Sequence, residues 1–154
     1  MDIALLVLHS LLRWILLIAL LSSIIMSFRG WKNSRSFTPF DALSRKVATI
    51  FAHLQLLVGI MLYITGNTLT YLLNDFKSAM SNGETRFFSM EHSTLMILAV
   101  AFITIGTIRS KRKKSDTDRH RSIALWFCLG LLIILIAIPW PFSPLANRPF
   151  LRGF

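Results

Sequence analysis

Four long apolar blocks set the pattern of the chain, Ile3 to Phe28, Val47 to Tyr63, Met90 to Ile108 and Ile123 to Pro139, with most of the charge gathered between them. Each block is near the ~20 residues that a helix needs to cross ~30 Å of hydrocarbon. The connections are short, so the pattern predicts a single domain over residues 1–154, an all-α, integral membrane, up-down four-helix bundle. Thr38-Pro39-Phe40-Asp41 reads as a turn into the second span with Asp41 as a candidate N-cap, and Gly66-Asn67 as its close. Thr68 to Leu73 reads either as two further turns of that helix or as an interfacial hairpin before the polar stretch Asn74 to Arg86. After the fourth block, Pro139, Pro141 and Pro144 remove backbone donors and stop the helix. Residues 140–154 then form a proline- and aromatic-rich tail, in which Trp140, Phe142, Phe150 and Phe154 suit the outer interface.

Composition supports the same class, since 54% apolar residues in 154 leave little from which a soluble domain could be made. The first block is expected to be a retained helix rather than a leader: Asp2 stands where a leader carries basic residues, and no clean small-residue cleavage site follows. Cys128 is the lone cysteine, which rules out a disulfide framework, a CxxC metal pair and covalent haem attachment through CxxCH. The net charge of +10 is not spread over a surface. It is concentrated in Arg29, Lys32, Arg35, Arg45 and Lys46, and again in Arg109, Lys111, Arg112, Lys113, Lys114, Arg119 and Arg121. Both groups fall on one side of an up-down bundle, so the positive-inside rule places them in the cytoplasm and both termini outside. Orientation and attraction to anionic membrane lipid account for this charge, and no nucleic-acid partner is expected. Walker, dinucleotide, HExxH and nucleophile-base patterns are missing, and the one carboxylate within the apolar blocks, Glu91, stands at the outer boundary of the third, so none lies deep enough to serve a proton relay.

Histidine is the chemistry-bearing residue of this sequence, with His9, His53, His92 and His120 falling one to each span. An ionisable group in hydrocarbon is costly and points to function. Spans one and three run in the same direction, with His9 roughly 9 Å below the outer boundary and His92 within about a turn of that depth. Diagonal helices carrying level imidazoles suit bis-histidine haem. His53 and His120 form a second candidate pair toward the inner side, but with span two beginning at Val47 they differ in depth by about nine residues, ~13 Å. Extending span two to Leu73 levels them. His120, between Arg119 and Arg121, reads equally as an interfacial basic residue. Arg13 follows His9 by one turn on the same face and needs an anion, for which a haem propionate is a candidate. A histidine-only zinc or copper site needs more ligands at one level than these pairs supply. Met61, Met90 and Met96 read as packing residues, and Glu91 as meeting solvent, a lysine or a quinol, with solvent the plainest of the three.

His9-Ser10-Leu11-Leu12-Arg13-Trp14, His53-Leu54-Gln55, Glu91-His92 and Arg119-His120-Arg121 together resemble a small family of bacterial four-helix membrane proteins labelled cytochrome b. The arrangement is also similar to that of dihaem b-type cytochromes. The resemblance covers nearly the whole chain and implies haem b, one group or two, in a bacterial inner-membrane electron carrier. It further implies a quinone or redox-protein partner, and a place as subunit of a respiratory or oxidoreductase complex. His9, Arg13, His53, His92 and His120 are then the expected haem-binding residues, with the four histidines as iron ligands. The contrasting expectation is a haem-free accessory or scaffold subunit whose histidines and Arg13 contact partner helices.

Overall fold

The computed structural model describes residues 3–142 and 146, without the side chains of Asn67 and Thr68. Four helices are long and apolar enough to cross a membrane, and the chain is a multi-pass membrane protein. The helices are α1 (Ile3–Lys32), α2 (Pro39–Thr65), the short α3 (Asn67–Asn74), α4 (Phe76–Ser81) and α5 (Gly83–Arg86), then a π-helical turn (Phe87–Glu91) leading into α6 (His92–Arg112), and finally α7 (Asp116–Ala137). No strand occurs among the described residues. Tail residues 143–145 and 147–154, including Phe150 and Phe154, lie outside the described residues, as does Asp2. Within the described part of the tail, Trp140 donates from Nε1 to the Leu135 carbonyl at 2.8 Å and stacks on Phe142 at 5.9 Å.

α1 packs on α2 and α7, and α6 packs on α2 and α7. The bundle is therefore square, with α1 across from α6 and α2 across from α7. Each inward face is marked by buried residues three and four apart, such as Arg45, Ala48, Ala52 and Gln55 on α2 and His120, Ala124, Phe127, Gly130, Ile134 and Ala137 on α7. Small residues permit close approach, which matters most between α6 and α7. A Cβ built on Gly106 would stand 2.6 Å from Trp126 Cβ, and one on Gly130 would stand 2.8 Å from Ile103 Cγ1. The large outward side chains, Ile18, Ile64, Leu132 and Ile136 among them, are exposed, as a lipid-facing surface requires.

At the end carrying the basic connections, which we call the basic end, the helices run past their apolar blocks by about one or two turns. Caps explain the overrun at α2. Thr38, not Asp41, is the N-cap, because Pro39 is well tolerated as the first helical residue and lets the helix begin there. Asp41 instead completes a capping box: its Oδ2 accepts from the Thr38 amide at 2.8 Å and from Thr38 Oγ1 at 2.6 Å, while its own amide donates to Thr38 Oγ1 at 3.3 Å. Oδ1 accepts from Arg35 Nη2 at 2.5 Å. Asp41→Asn is expected to cost about 1–3 kcal/mol, because it removes a charge-assisted bond and weakens a cap around a buried side chain. A thermal unfolding midpoint in detergent equal to that of the wild type would show that this box contributes nothing.

At the opposite, far end, α2 closes at Gly66, whose amide donates to the Leu62 carbonyl at 2.9 Å. Its extended backbone (φ −81°, ψ 163°) breaks the helix, and α3 starts anew. Span two therefore does not continue unbroken to Leu73.

Candidate functional site

The far end of the bundle gathers polar groups from all four long helices. Gln55, 7% exposed on α2, directs its amide nitrogen at α1, to the His9 carbonyl at 3.1 Å and to His9 Nε2 at 3.2 Å. The carbonyl accepts only, so it fixes the orientation of the Gln55 amide. His9 Nε2 is then an acceptor, and its ring proton belongs on Nδ1. That Nδ1 and Gln55 Oε1 are both buried without a partner. Across the bundle, His92 Nδ1 lies 2.8 Å from the Ala137 carbonyl. It must be the donor there, which leaves Nε2 of the neutral ring with its lone pair.

The backbone ahead of His92 determines where its ring sits. The π-helical turn carries the His92 amide back to the Phe87 carbonyl, and Ser93 Oγ donates to the Phe88 carbonyl at 3.0 Å. Tyr63 ties this turn to α2 by donating from its hydroxyl to the Ser89 carbonyl at 3.0 Å. The rings of Phe87 and Phe88 lie 5.8 and 6.0 Å from the His92 ring. Arg13 donates from Nη2 to Ser10 Oγ at 3.5 Å and lies 5.5 Å over Trp14. Arg13 is within electrostatic reach of both imidazoles, and His9 and His92 are within reach of one another. His9, Arg13 and His92 thus share the far end of the bundle, on the diagonal helices α1 and α6. Gly59 faces it from α2, where a Cβ would stand 3.3 Å from His9 Cε1. Glu91 pairs with Arg86 at 2.8 Å rather than meeting solvent alone. Met61 and Met90 are exposed.

His53 and His120 are placed differently. His53 is exposed at the seam of α2 and α6, with Nδ1 2.8 Å from the Thr49 carbonyl and Nε2 3.3 Å from Thr104 Oγ1. His120 has no exposure and faces α1. A Cβ on Gly30 would overlap its ring, and the Phe37 ring lies 5.0 Å away. Both ring nitrogens of His120 are buried and unpartnered. The α2 residue that stands near the basic end beside α6 is Arg45, whose Nη1 donates to Ser110 Oγ at 3.3 Å. His53 follows Arg45 by two turns, about 12 Å deeper. The structure brings His9, Arg13 and His92 together and does not bring His53 to His120.

Gln55, Gly59, Phe87 and the Ala137 carbonyl belong to the far-end cluster although the histidine pattern alone does not select them. A signal for Gln55 exists in the α2 stripe Ala48, Ala52, Gln55, Gly59, which marks one helical face and excludes His53. Among the described residues no three His, Cys, Asp or Glu side chains converge, whereas a bis-imidazole site needs only two. The chain matches no known family model, no curated protein and no solved structure.

Proposed function

We propose that the protein is a b-type cytochrome of the bacterial inner membrane that carries electrons through one haem b held between His9 and His92. One observation carries this reading: two imidazoles on diagonal helices share one end of the bundle, and the hydrogen bonds to each ring leave Nε2 unprotonated. A carbonyl partner on Nδ1, as His92 has in Ala137, is the usual way a protein orients a metal-binding imidazole. The orphaned Nδ1 of His9 and Oε1 of Gln55 fit a site whose polar groups await a further component. Haem bound by two imidazoles supplies one-electron transfer with no open iron position.

The chain's own residues then have distinct tasks. Ala137 would hold the His92 tautomer, whereas Gln55, whose amide occupies the lone pair of His9 Nε2 here, would have to leave that nitrogen to the iron and keep its bond to the His9 carbonyl. Arg13 offers a guanidinium to carboxylates carried by the ligand. Phe87, Phe88 and Tyr63 close the far end against water. In this reading the far end faces the periplasm, as the positive-inside rule requires of the end opposite the basic connections. Quinone or a redox protein, within a larger membrane complex, is the partner class for such a carrier.

The test is a reduced-minus-oxidised optical spectrum of detergent-purified protein with haem quantified per chain. A b-type signal with about one haem per chain is expected. Colourless protein from haem-replete cells would overturn the proposal and favour a haem-free scaffold subunit.

A further inference from the structure

At the basic end, Arg45 is 8% exposed and has no carboxylate partner among the described residues. Besides its bond to Ser110, it lies 5.6 Å over the Phe37 ring, and its Nε is buried without a partner. Arg119 also lies 5.6 Å from that ring, near enough to repel Arg45. Acidic residues of this end are committed elsewhere. Asp41 is taken by Arg35 and Thr38, Asp116 lies 3.5 Å from Arg119 Nη1, and Asp118 is exposed. Against the same ring sits His120, fully buried, with both nitrogens unpartnered. Two guanidiniums around one aromatic ring, one of them shielded from water, repel each other and lose hydration unless an anion joins them.

We propose that Arg45 and Arg119, held about Phe37, bind the phosphate of an anionic membrane phospholipid of the phosphatidylglycerol class. The forked donors of arginine match phosphate oxygens. The surroundings select a lipid over free phosphate. Arg121 lies 5.5 Å over Trp31 and Arg109 lies 5.5 Å over Trp126, and tryptophans paired with cations are typical of the headgroup level. On the first turns of α2, Phe40 and Leu43 are exposed at 66% and 53%, next to where acyl chains would run. The site is independent of the haem reading, since it lies at the other end of the bundle.

Delipidated full-length protein should be titrated with phosphatidylglycerol or phosphatidylcholine and the adducts counted by native mass spectrometry. Phosphatidylglycerol is expected to bind at least about tenfold more tightly, the scale of added charge-assisted hydrogen bonds. Arg45→Gln and Arg119→Gln should each remove that preference, while Lys113→Gln combined with Lys114→Gln leaves it. If Arg45→Gln does not fold, Arg119→Gln decides, because that side chain is partly exposed and its loss opens no core. A preference that survives the arginine changes, or that falls equally with the lysine pair, overturns the site. In a parallel thermal series inorganic phosphate should leave the midpoint unchanged; a rise equal to that given by phosphatidylglycerol overturns the lipid assignment.

Discussion

Haem is expected to be lost from His92→Ala, with content falling from about one to less than about a tenth per chain, while His53→Ala and His120→Ala retain it. Even residues that only orient a metal-binding side chain change affinity by ~10–100-fold, so removing a ligand itself should exceed that range. The comparison separates ligand from mere core residue. His120 is the more deeply buried of the two candidates in α6 and α7, whereas His92 keeps some exposure; a purely structural role would make His120→Ala the more damaging change. Adding imidazole to His92→Ala should restore a low-spin b-type spectrum in part. Restored packing cannot produce that signature. If haem persists in His92→Ala and vanishes in His120→Ala, the far-end site is wrong.

Gly130→Leu is expected to destabilise the bundle by about 3 kcal/mol or more, above the usual cost of overpacking, because neither neighbour can yield. Ile103 is fully buried, and the Ala99 carbonyl, 3.2 Å from the added Cβ, belongs to the α6 backbone. The two helices must separate. Gly106→Leu should act through the same seam, where Trp126 Cβ blocks the new side chain, and the double variant should cost less than the sum because one separation relieves both clashes. Gly83→Ala is the control, since nothing lies within 4 Å of its Cβ position, and it should stay within about 0.5 kcal/mol of the wild type. Unfolding midpoints in detergent check all four, and a near-neutral Gly130→Leu would mean that α6 and α7 are not in direct contact.

The bundle itself was legible because the number and length of apolar blocks nearly dictate it. Helix ends were less so. Blocks end where hydrocarbon ends, but α1, α2, α6 and α7 continue into polar sequence as far as caps such as the Thr38 box allow. Residue depth follows from rise per residue, so the sequence alone puts His9 and His92 at one end of the bundle. Direction around the helix was the harder quantity. His53 and Ala52 differ by about 100°, so a histidine next to an inward position faces the seam and not the interior. Small residues, not histidines, mark the inner face of α2, and they point to Gln55. For His120 the sequence leaves two depths open, outside the hydrocarbon or level with His53, and its enclosure by Gly30 and Phe37 depends on the path of the α1–α2 connection, which apolar periodicity does not describe.

The π-helical turn before His92 admits one residue more than an α-helix would hold, so deleting Phe88 would let the backbone run as an ordinary helix from Gly83 into α6. Roughly five residues of π-helix turn and rise by as much as four of α-helix, so Gly83 to Arg86 would keep nearly their angle and height on the α6 axis. The His92 amide would still reach the Phe87 carbonyl, now four residues back. Ser93 would lose the Phe88 carbonyl, and His92 one of its two phenylalanine neighbours. The added residue thus serves the surroundings of His92 and leaves the outer cap where an unbroken helix would put it.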